Sequence, residues 1–595
     1  MCGISGIYSK KNLEIGHELI SRVNNIASHR GPDAEQYYLN KNFAFGHRRL
    51  SIIDLSSESN QPFSKFDFTI VYNGEIFNYL EIREELLLKG YEFQTQSDTE
   101  VVLVAYKEWG KECVNRFNGM WAFCIYNETT QSFFCSRDRF GIKPFYFINN
   151  SEYFAFASEI PQILELLDEN KANRKVLAEF IVGIEDINDE TFFQDVYKLM
   201  PGFNLEFSFI DQKLTKWRYY ELKKIEIPKN YDSCLREFRA LFEDSIKLRL
   251  RSDVSIGTCL SGGLDSSAIA ALASKLYRES SNKKFMAIHA KSFEKATDES
   301  YYAKLVAEHS KLNLFIVEPD SLSLIDVLNK TMKVQGEPFG GPSIVMQYCV
   351  FEEAAKRDIK VMLDGQGGDE LLLGYDTYFN RYLSTIPIVN SIFKKLNLSN
   401  ESLMNVNLKF AYYFKNINSK VKRILHRKRF SFLNRDYFSK IDHLLVFETA
   451  MEHSKNTFMF QKYEMENSIQ KLLKYEDRNS MFHGIESRLP FLDHRLVEYS
   501  LSLPLDLKLK ENETKHILRK IIKDDVLDEV AYRMDKKGFE APSIFWEIYY
   551  TNSLDAIKES KLVKDIVVGE IPEDRIMQWR IANIAHWEAA FNVTL

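Results

Sequence analysis

The first third of the chain is organised as short apolar or alternating runs of strand length. Five such runs stand at 68–72, 120–126, 132–136, 145–148 and 153–157, and a helical pattern at 79–89 interrupts them. We expect the dipeptides Asn73-Gly74 and Asn149-Asn150 to form turns between strands. Residues 2–224 are therefore predicted to form a β-rich unit. The charged, proline-containing segment 223–231 is predicted to be a linker.

The pattern changes after this linker. Helical stretches at 233–249 and 299–310 alternate with apolar strands at 254–260, 285–290, 314–317 and 361–363. Strands that alternate with helices predict βαβ units and a parallel sheet. Ligands of such sheets bind at the carboxyl ends of the strands. Two glycine-rich loops, at 261–267 and 364–370, stand at such ends, so residues 232–595 are predicted to form a ligand-binding α/β unit.

The stretch near 378–460 is less regular and contains a basic run at 420–429. One hypothesis for this run is an anionic partner; the other is a solvated helical insertion. A single basic run in an acidic chain favours the insertion.

Composition narrows the class of protein without identifying it. The 595 residues are 45% hydrophobic and 27% charged, with a formal net charge of -6, which argues against nucleic acid as the main partner. Seven cysteines without a CxxC pair argue against a disulfide framework or a zinc site and favour a reducing compartment. There is no signal-like amino terminus and no apolar run of about 20 residues. We therefore expect a cytoplasmic protein that does not contact membranes.

Cys2 is a candidate nucleophile. Removal of Met1 would leave a thiol and a free α-amine on one residue, and this amine, with a pKa of about 8, could accept the thiol proton. Asn73 and Gly74 could donate hydrogen bonds to a developing oxyanion. Arg49 could bind a substrate carboxylate. The alternatives are a structural cysteine, a plain hairpin turn and a surface ion pair.

Two acidic residues complete this constellation. Glu75 and Asp98 could hold a substrate ammonium group, for which a surface ion pair is again the alternative. A ligand that has an ammonium, a carboxylate and a cleavable carboxamide is glutamine.

The loop SGGLDSS at 261–267 is a candidate phosphate site. Its glycines let the backbone approach an anion, and its hydroxyls, its N–H groups and the following helix N-terminus favour negative charge. It lacks the lysine of a Walker-type loop. The alternative is an ordinary capped helix after a tight turn.

Six ordered motifs of the first unit resemble the class II glutamine amidotransferase family: residues 1–6 (MCGISG), 29–33 (HRGPD), 46–54 (GHRRLSIID), 72–75 (YNGE), 97–100 (SDTE) and 136–144 (SRDRFGIKP). The resemblance implies an α+β N-terminal-nucleophile fold, with two stacked antiparallel sheets between helices. It also implies that Cys2 attacks the amide of glutamine and releases ammonia. The glutamine-binding residues implied by it are Arg49, Leu50, Ser51, Ile52, Ile53, Asn73, Gly74, Glu75 and Asp98.

The second unit resembles ATP pyrophosphatase-type synthetases and, more specifically, the asparagine synthetase family. Further matching segments are 298–299 (DE), 482–493 (FHGIESRLPFLD) and 514–519 (TKHILR). The resemblance implies a doubly wound α/β fold, with Asp265 and Asp369 as Mg²⁺ ligands and Lys515 as the cation that faces the departing pyrophosphate. For Lys515 the alternative is a helix-surface lysine. The implied ATP-binding residues are Leu260, Ser261, Gly262, Gly263, Asp265, Ser266, Ser267, Ile288, Asp364 and Gly365.

One position departs from part of this family. Some members have a glutamate, with a part in forming the acyl-adenylate, where this chain has Gln366. An amide cannot act as a base or carry charge. The resemblance therefore predicts adenylation but leaves the accepted acid open.

The predicted reaction uses ATP, Mg²⁺, glutamine and a carboxylate. Aspartate would become β-aspartyl-adenylate, and channelled ammonia would convert it to asparagine. The alternative is an enzyme of the same build that amidates a sugar acid or a secondary-metabolite precursor. A non-enzymatic binding protein is disfavoured because both sites keep their motifs. We allow for a homodimer.

Overall fold

The structure is a computed structural model that describes residues 2–281, 284–295, 297–319, 323–375, 378, 430–439, 456–510, 513–533 and 544–595. The basic run at 420–429 and most of the region near 378–460 lie outside the described residues. No helix within the described ranges is both long and apolar enough to cross a bilayer.

The first 218 residues contain twelve strands within the described part of the chain: β1 Gly3–Ser9, β2 Ala34–Leu39, β3 Phe43–Arg49, β4 Phe63–Lys65, β5 Phe68–Ile76, β6 Gly119–Asn127, β7 Ser132–Arg137, β8 Tyr146–Asn149, β9 Tyr153–Ala157, β10 Tyr197–Lys198, β11 Phe203–Ser208 and β12 Leu214–Arg218. The helices here are α1 His17–Ile26, α2 Tyr79–Leu88, α3 Asp98–Trp109, α4 Ile160–Leu164 and α5 Arg174–Val182. The predicted strands and the helix at 79–89 are present, mostly with ends shifted by a few residues.

These strands form two antiparallel sheets that stack face to face. One sheet has the order β10-β8-β9-β1-β3-β2, and the other has the order β12-β11-β7-β6-β5-β4. Aromatic side chains fill the space between them: the rings of Phe154 and Phe207, one from each sheet, stack 4.5 Å apart. Helices α1 and α4 pack on the outside of the first sheet, and α3 packs on the outside of the second. The predicted N-terminal-nucleophile sandwich is confirmed.

Residues 219–230 contain neither helix nor strand, and the second unit starts with α6 Tyr231–Arg249. Its strands are β13 Ile256–Cys259, β14 Met286–Ala290, β15 Asn313–Val317, β16 Val361–Leu363 and β17 Glu486–Arg488. The further helices before residue 378 are α7 Leu264–Ser280, α8 Ser300–His309, α9 Ser323–Gln335, α10 Ser343–Ala355 and α11 Gly368–Leu372. The helices from residue 430 onward are α12 Arg435–Ser439, α13 Thr457–Tyr463, α14 Ile469–Phe482, α15 His494–Ser502, α16 Leu505–Lys508, α17 His516–Ile521, α18 Asp528–Ala531, α19 Ile544–Asn552, α20 Leu554–Glu559, α21 Lys561–Ile566 and α22 Arg575–Phe591.

The five strands of the second unit form a parallel sheet of order β15-β14-β13-β16-β17. The chain moves outward from β13 through β14 to β15, and then returns to the other side of β13 with β16 and β17. The doubly wound prediction is therefore confirmed. In such a sheet the ligand crevice lies where the order reverses, which here is between β13 and β16. Both predicted glycine-rich loops leave the sheet at this point.

Candidate active sites

Cys2 lies immediately before β1 and is almost fully buried. Its backbone N–H donates a hydrogen bond of 3.1 Å to Asn73 Oδ1, and its carbonyl oxygen accepts one of 3.2 Å from Arg30 Nε. Burial raises the pKa of the Cys2 thiol, against the opposing effects of the Leu50 backbone and the charge of Arg49. A buried thiol of this kind needs a proton acceptor close by before it can attack a substrate.

The buried His47 of β3 is not suited to that task. Burial lowers the pKa of His47 to about 3, and its Nε2 lies 3.2 Å from the carbonyl oxygen of Tyr72. A carbonyl can only accept, so Nε2 carries the hydrogen and donates it. This contact holds the ring in place, and His47 is therefore a poor candidate for the base that activates Cys2.

The turn predicted at Asn73-Gly74 is wrong. Both residues lie inside β5, opposite Ala122 and Trp121 of β6. A Cβ atom on Gly74 would lie 2.2 Å from the carbonyl oxygen of Met120, so the glycine permits close approach of the strands. Asn73 is fully buried, and its Nδ2 has no hydrogen-bond partner among the described residues. A buried donor beside a candidate nucleophile can stabilise an oxyanion.

Glu75 and Asp98 place two buried carboxylates beside the same cavity. Burial raises the pKa of Asp98 to about 6, although Ile76 N–H and the Tyr72 hydroxyl donate to Oδ2 at 3.0 and 2.8 Å. Burial, and then the charge of Asp98, raise the pKa of Glu75 well above its ordinary value. Two acids in this position favour a bound cation, such as a substrate ammonium group.

Arg49 ends β3, and its guanidinium is held by loop residues. Its Nη1 donates to Ser56 O at 2.6 Å and to Asn60 Oδ1 at 2.7 Å, and its Nη2 donates to Asp54 O. The side chain is thus fixed at the cavity wall. The Ser51 N–H is taken by Asp33 Oδ2 at 2.8 Å.

The structure brings most of the predicted glutamine site together. Cys2, Arg49, Leu50, Ile52, Ile53, Gly74, Glu75 and Asp98 line one cavity. Asn73 joins them through its bond to Cys2, whereas Ser51 does not line the cavity. Residues not predicted there are Ser59, Gln61, Tyr72, Ser97, Thr99 and Glu486.

Glu486 belongs to the second unit, where β17 pairs with β16. The guanidinium of the neighbouring Arg488 lies 3.6 Å from Glu75 Oε2, and its Nε donates to Glu486 Oε1 at 2.5 Å. The segment 482–493 is one of the matching motifs, but its spacing does not indicate that Glu486 lines the same cavity as Cys2. Only the tertiary structure places it there.

The predicted phosphate loop joins β13 to α7. Gly262 has a left-handed φ of 85°, and a Cβ there would lie 2.9 Å from the backbone nitrogen of Ala303. Ser261 Oγ accepts from Gly263 N–H at 3.2 Å and lies 2.9 Å from Ser266 Oγ. These contacts shape the loop into a turn over the first residues of α7. Ser267 is fully buried, and its Oγ lacks a hydrogen-bond partner within the described ranges.

A cavity of about 360 Å³ opens at the carboxyl ends of β13 and β16, where the strand order of the sheet reverses. Its walls include Leu260, Ser261, Gly263, Asp265, Ser266, Ile288, Asp364, Gly365, Gln366 and Asp369, all predicted from sequence. Gly262 and Ser267 do not line this cavity. Residues not predicted there are Cys259, Ala290, Glu299, Ser343, Ile344, Gln347, Val350, Gly367, Glu370, Tyr375, Leu472 and Tyr475.

Lys515 is not a surface lysine. Its side chain is 2% exposed, and its Nζ lies 2.6 Å from Asp369 Oδ1 and in contact with Asp265 Oδ2. Burial disfavours the charge, but the two carboxylates outweigh burial and raise the pKa of Lys515. One cation thus joins the loop after β13 to the loop after β16.

The same two carboxylates fit Mg²⁺. The ion commonly takes one or two carboxylates and completes its shell with phosphate oxygens and water. Asp265 and Asp369 both contact the Lys515 ammonium, so they converge on a single cation. The described residues contain no group of three or more His, Cys, Asp or Glu side chains arranged for a metal, so substrate phosphates would have to supply further ligands.

Helix α14 connects the two cavities. Arg30, which binds the carbonyl of Cys2, donates to both oxygens of Asp477 at 2.9 and 3.2 Å. The adjacent Glu476 accepts from Ser487 Oγ at 2.5 Å. Burial, and then the charge of Asp364 at the second cavity, raise the pKa of Glu476 well above its ordinary value. The consecutive residues Glu476 and Asp477 therefore interact with different sites: Asp477 with the residues around Cys2, and Glu476 with Asp364 at the second cavity.

Comparison with known proteins agrees with this division. Residues 1–220 match the family model described as glutamine amidotransferase domain, and residues 237–569 match the one described as asparagine synthase.

Three curated relatives illustrate the range of similarity. Asparagine synthetase [glutamine-hydrolyzing] 3 of Bacillus subtilis is 31% identical, over 90% of this chain and 86% of its own. Putative asparagine synthetase [glutamine-hydrolyzing] 2 of Methanocaldococcus jannaschii is 36% identical, over 64% of this chain and 77% of its own. Amidase chry2 of Gibberella zeae is 28% identical, over 92% of this chain and 90% of its own.

Proposed function

The chain belongs to the asparagine synthase family and is an ATP-dependent ligase that takes nitrogen from glutamine, and on that premise we propose that it amidates aspartate to asparagine. The observation that carries the proposal is the pair of cavities, one at Cys2 and one at the switch point of the parallel sheet. Similarity to glutamine-hydrolyzing asparagine synthetases along most of the chain favours aspartate. We further propose a boundary at the linker, with a glutaminase unit at 2–224 and a synthetase unit at 232–595, and a cytoplasmic location.

In the glutaminase half, the α-amine of Cys2, freed by removal of Met1, accepts the thiol proton, and the thiolate attacks the side-chain amide of glutamine. Asn73 Nδ2 is buried and available for the oxyanion, with the Gly74 N–H as the second donor. Glu75 and Asp98 bind the substrate ammonium, and Arg49 binds its carboxylate. Ammonia leaves, and water hydrolyses the thioester to glutamate.

In the synthetase half, the 261–267 loop holds the phosphates of ATP, and Leu260, Ile288, Asp364 and Gly365 contact its nucleoside. The aspartate side-chain carboxylate attacks the α-phosphate, which forms β-aspartyl-adenylate and releases pyrophosphate. Bound at Asp265 and Asp369, Mg²⁺ would supply positive charge to the phosphates. Lys515 adds an ammonium at the same place and neutralises the leaving group.

Ammonia must reach the adenylate without taking up a proton from water. One apolar cluster extends from Leu50, Ile52 and Met120 of the first unit to Leu260 and Leu492 of the second. Such a lining keeps ammonia neutral and nucleophilic. We propose that ammonia travels along this cluster.

A second candidate is amidation of another carboxylate, such as a sugar acid or a secondary-metabolite precursor. The specific observation in its favour is Gln366, which lines the 360 Å³ cavity as a neutral amide. Related chains named amidases add weight to it.

The test is pyrophosphate release with ATP, Mg²⁺, glutamine and a panel of acids. We expect aspartate to stimulate release more than glutamate, succinate or sugar acids. No response to aspartate together with a clear response to another acid would contradict the proposal. Gln366→Glu then asks whether this position sets the preference, because it alters the charge of the cavity wall.

A further inference from the structure

Helix α11 carries two acidic residues of the synthetase cavity on a short and weakly self-supported turn. It has five residues, and both flanking residues are left-handed, with φ of 94° at Gly367 and 57° at Leu373. A helix this short cannot satisfy its last carbonyls internally. The Gly374 N–H reaches the carbonyl of Asp369 at 2.9 Å, which leaves those of Glu370 and Leu371 to be satisfied from elsewhere.

Gln461 of helix α13 supplies the missing donors. Its side chain is fully buried, and its Nε2 donates to Leu371 O at 2.6 Å and to Glu370 O at 3.3 Å. A buried carbonyl without a donor is costly, so these bonds select one position of α11. Gln461 therefore binds the backbone of the same short helix that carries Asp369.

Lys508 fixes the direction of the Gln461 amide. Its Nζ donates to Gln461 Oε1 at 2.5 Å and to Leu501 O at 3.3 Å, and the side chain is fully buried. An ammonium or amine that donates to Oε1 keeps the NH₂ group of Gln461 turned toward α11. Burial, and then the like charge of Lys224, lower the pKa of Lys508 to about 7. An apolar side chain would fill the space of Lys508 without the free-energy cost of removing an amine from water.

We propose that Gln461 is a positioning residue for the synthetase reaction, that it holds Asp369 in place through the backbone of α11, and that Lys508 orients it. The inference rests on the proposed function of the cavity, because it assigns to α11 the handling of Mg²⁺ and ATP. Gln461 and Lys508 line neither the synthetase cavity nor the glutaminase cavity. The effect of changing them should therefore appear as a changed Mg²⁺ requirement of adenylation and leave glutamine hydrolysis unaffected.

Gln461→Glu tests the contact directly. A carboxylate keeps Lys508 as a partner but offers no hydrogen to Leu371 O and Glu370 O. We expect the kcat of pyrophosphate release to fall at least about tenfold, the Mg²⁺ concentration for half-maximal rate to rise, and the kcat of glutamine hydrolysis to stay unchanged. Gln470→Glu is the matched control, because buried Gln470 also donates from Nε2 to a carbonyl, but that carbonyl is Phe140 O of the first unit, at 2.9 Å, and not one of α11.

A second pair of variants covers the case in which Gln461→Glu does not fold. Gln461→Leu should show the same loss, and Lys508→Met should show a smaller one, because the amide can then turn. Adding Lys508→Met to Gln461→Leu should lower kcat no further.

The outcomes separate this inference from the proposed function. Folded Gln461 variants with the kcat and Mg²⁺ requirement of the unaltered protein would overturn the positioning role, as would losses in Gln461→Leu and Lys508→Met that simply multiply in the double variant. Unaltered protein that releases no pyrophosphate with any acid would instead overturn the proposed function.

Discussion

Lys515→Met tests whether a single buried ammonium holds the two halves of the synthetase site together. In the structure this ammonium contacts Asp265 and Asp369, which come from loops after adjacent strands of the sheet. Methionine has a similar length and retains the packing, including the close approach of Gly374, where a Cβ would lie 2.1 Å from Lys515 Cε. The substitution therefore removes charge and little else.

The expected cost follows from the burial of Lys515 and Asp265, beside which Asp369 is only partly exposed. Removing one partner of a buried ion pair typically costs about 3–5 kcal/mol, because the remaining charge is left without compensation. Here two carboxylates lose their shared cation. The unfolding entropy is about 2.1 cal/mol/K per residue, so in a unit of roughly 360 residues each kcal/mol lowers the unfolding midpoint by about 1.3 °C, and a fall of about 5 °C is expected in EDTA.

The assay is thermal unfolding without nucleotide, in EDTA and in Mg²⁺. Mg²⁺ should raise the midpoint of Lys515→Met more than that of the unaltered protein, because the vacated carboxylates then bind the ion and binding stabilises the folded state. The same variant should release no pyrophosphate. Lys523→Met, which removes an exposed lysine just beyond α17, is the control and should change neither quantity.

One result would refute this reasoning. If Lys515→Met unfolds in EDTA at the same temperature as the unaltered protein, the ammonium does not compensate the charges of Asp265 and Asp369. A fall in midpoint that Mg²⁺ leaves untouched would instead show that Asp265 and Asp369 do not bind the ion together.

Three further predictions concern the glutaminase site. Cys2→Ala should abolish synthesis from glutamine and retain synthesis from ammonia; full turnover with glutamine would exclude Cys2 as the nucleophile. Asn73→Ala should lower the kcat of glutamine hydrolysis by about 10²–10³ with little change in KM, measured at saturating glutamine, and an unchanged kcat would exclude Nδ2 as an oxyanion donor. Because the pKa of Asp98 is raised to about 6, this acid takes up a proton as pH falls through 6 and loses its hold on an ammonium group, so the KM for glutamine should rise below that pH. Asp98→Asn should have a high KM without this rise, and an identical pH profile would remove Asp98 from the site.

Local sequence was sufficient to predict the position of a functional loop where that loop directly follows an apolar strand. The loops at 261–267 and 364–370 follow apolar strands, and parallel strands bring their carboxyl ends to one edge. The pattern therefore placed both loops at one edge of the sheet, whereas their meeting at one cavity depends on the pairing of β13 with β16. The pattern itself predicted a β-rich first unit and a parallel sheet in the second, and the family resemblance implied the stacked antiparallel sheets and the doubly wound order that the structure has.

Local sequence misled where a strong short-range signal met a buried strand. Asn-Gly is typical of a hairpin turn, yet Asn73 and Gly74 continue β5 because β6 pairs with them along their whole length. The glycine is required by the backbone of Met120 on the neighbouring strand, and not by a turn. Tertiary pairing overrode the local preference.

The sequence alone determined which residues carry chemistry: a thiol at position two, two glycine-rich loops, and acids that follow strands. The tertiary structure decided which of them meet. Glu486 of β17 lines the glutaminase cavity and Arg488 lies 3.6 Å from Glu75, although both belong to the second unit. Lys515 meets Asp265 from a distance of 250 positions along the chain. Gln461 and Lys508 carry no motif, and their importance arises from burial next to the carbonyls that α11 leaves unsatisfied. Such contacts depend on which elements pack together, and hydrophobic periodicity along a chain does not specify that.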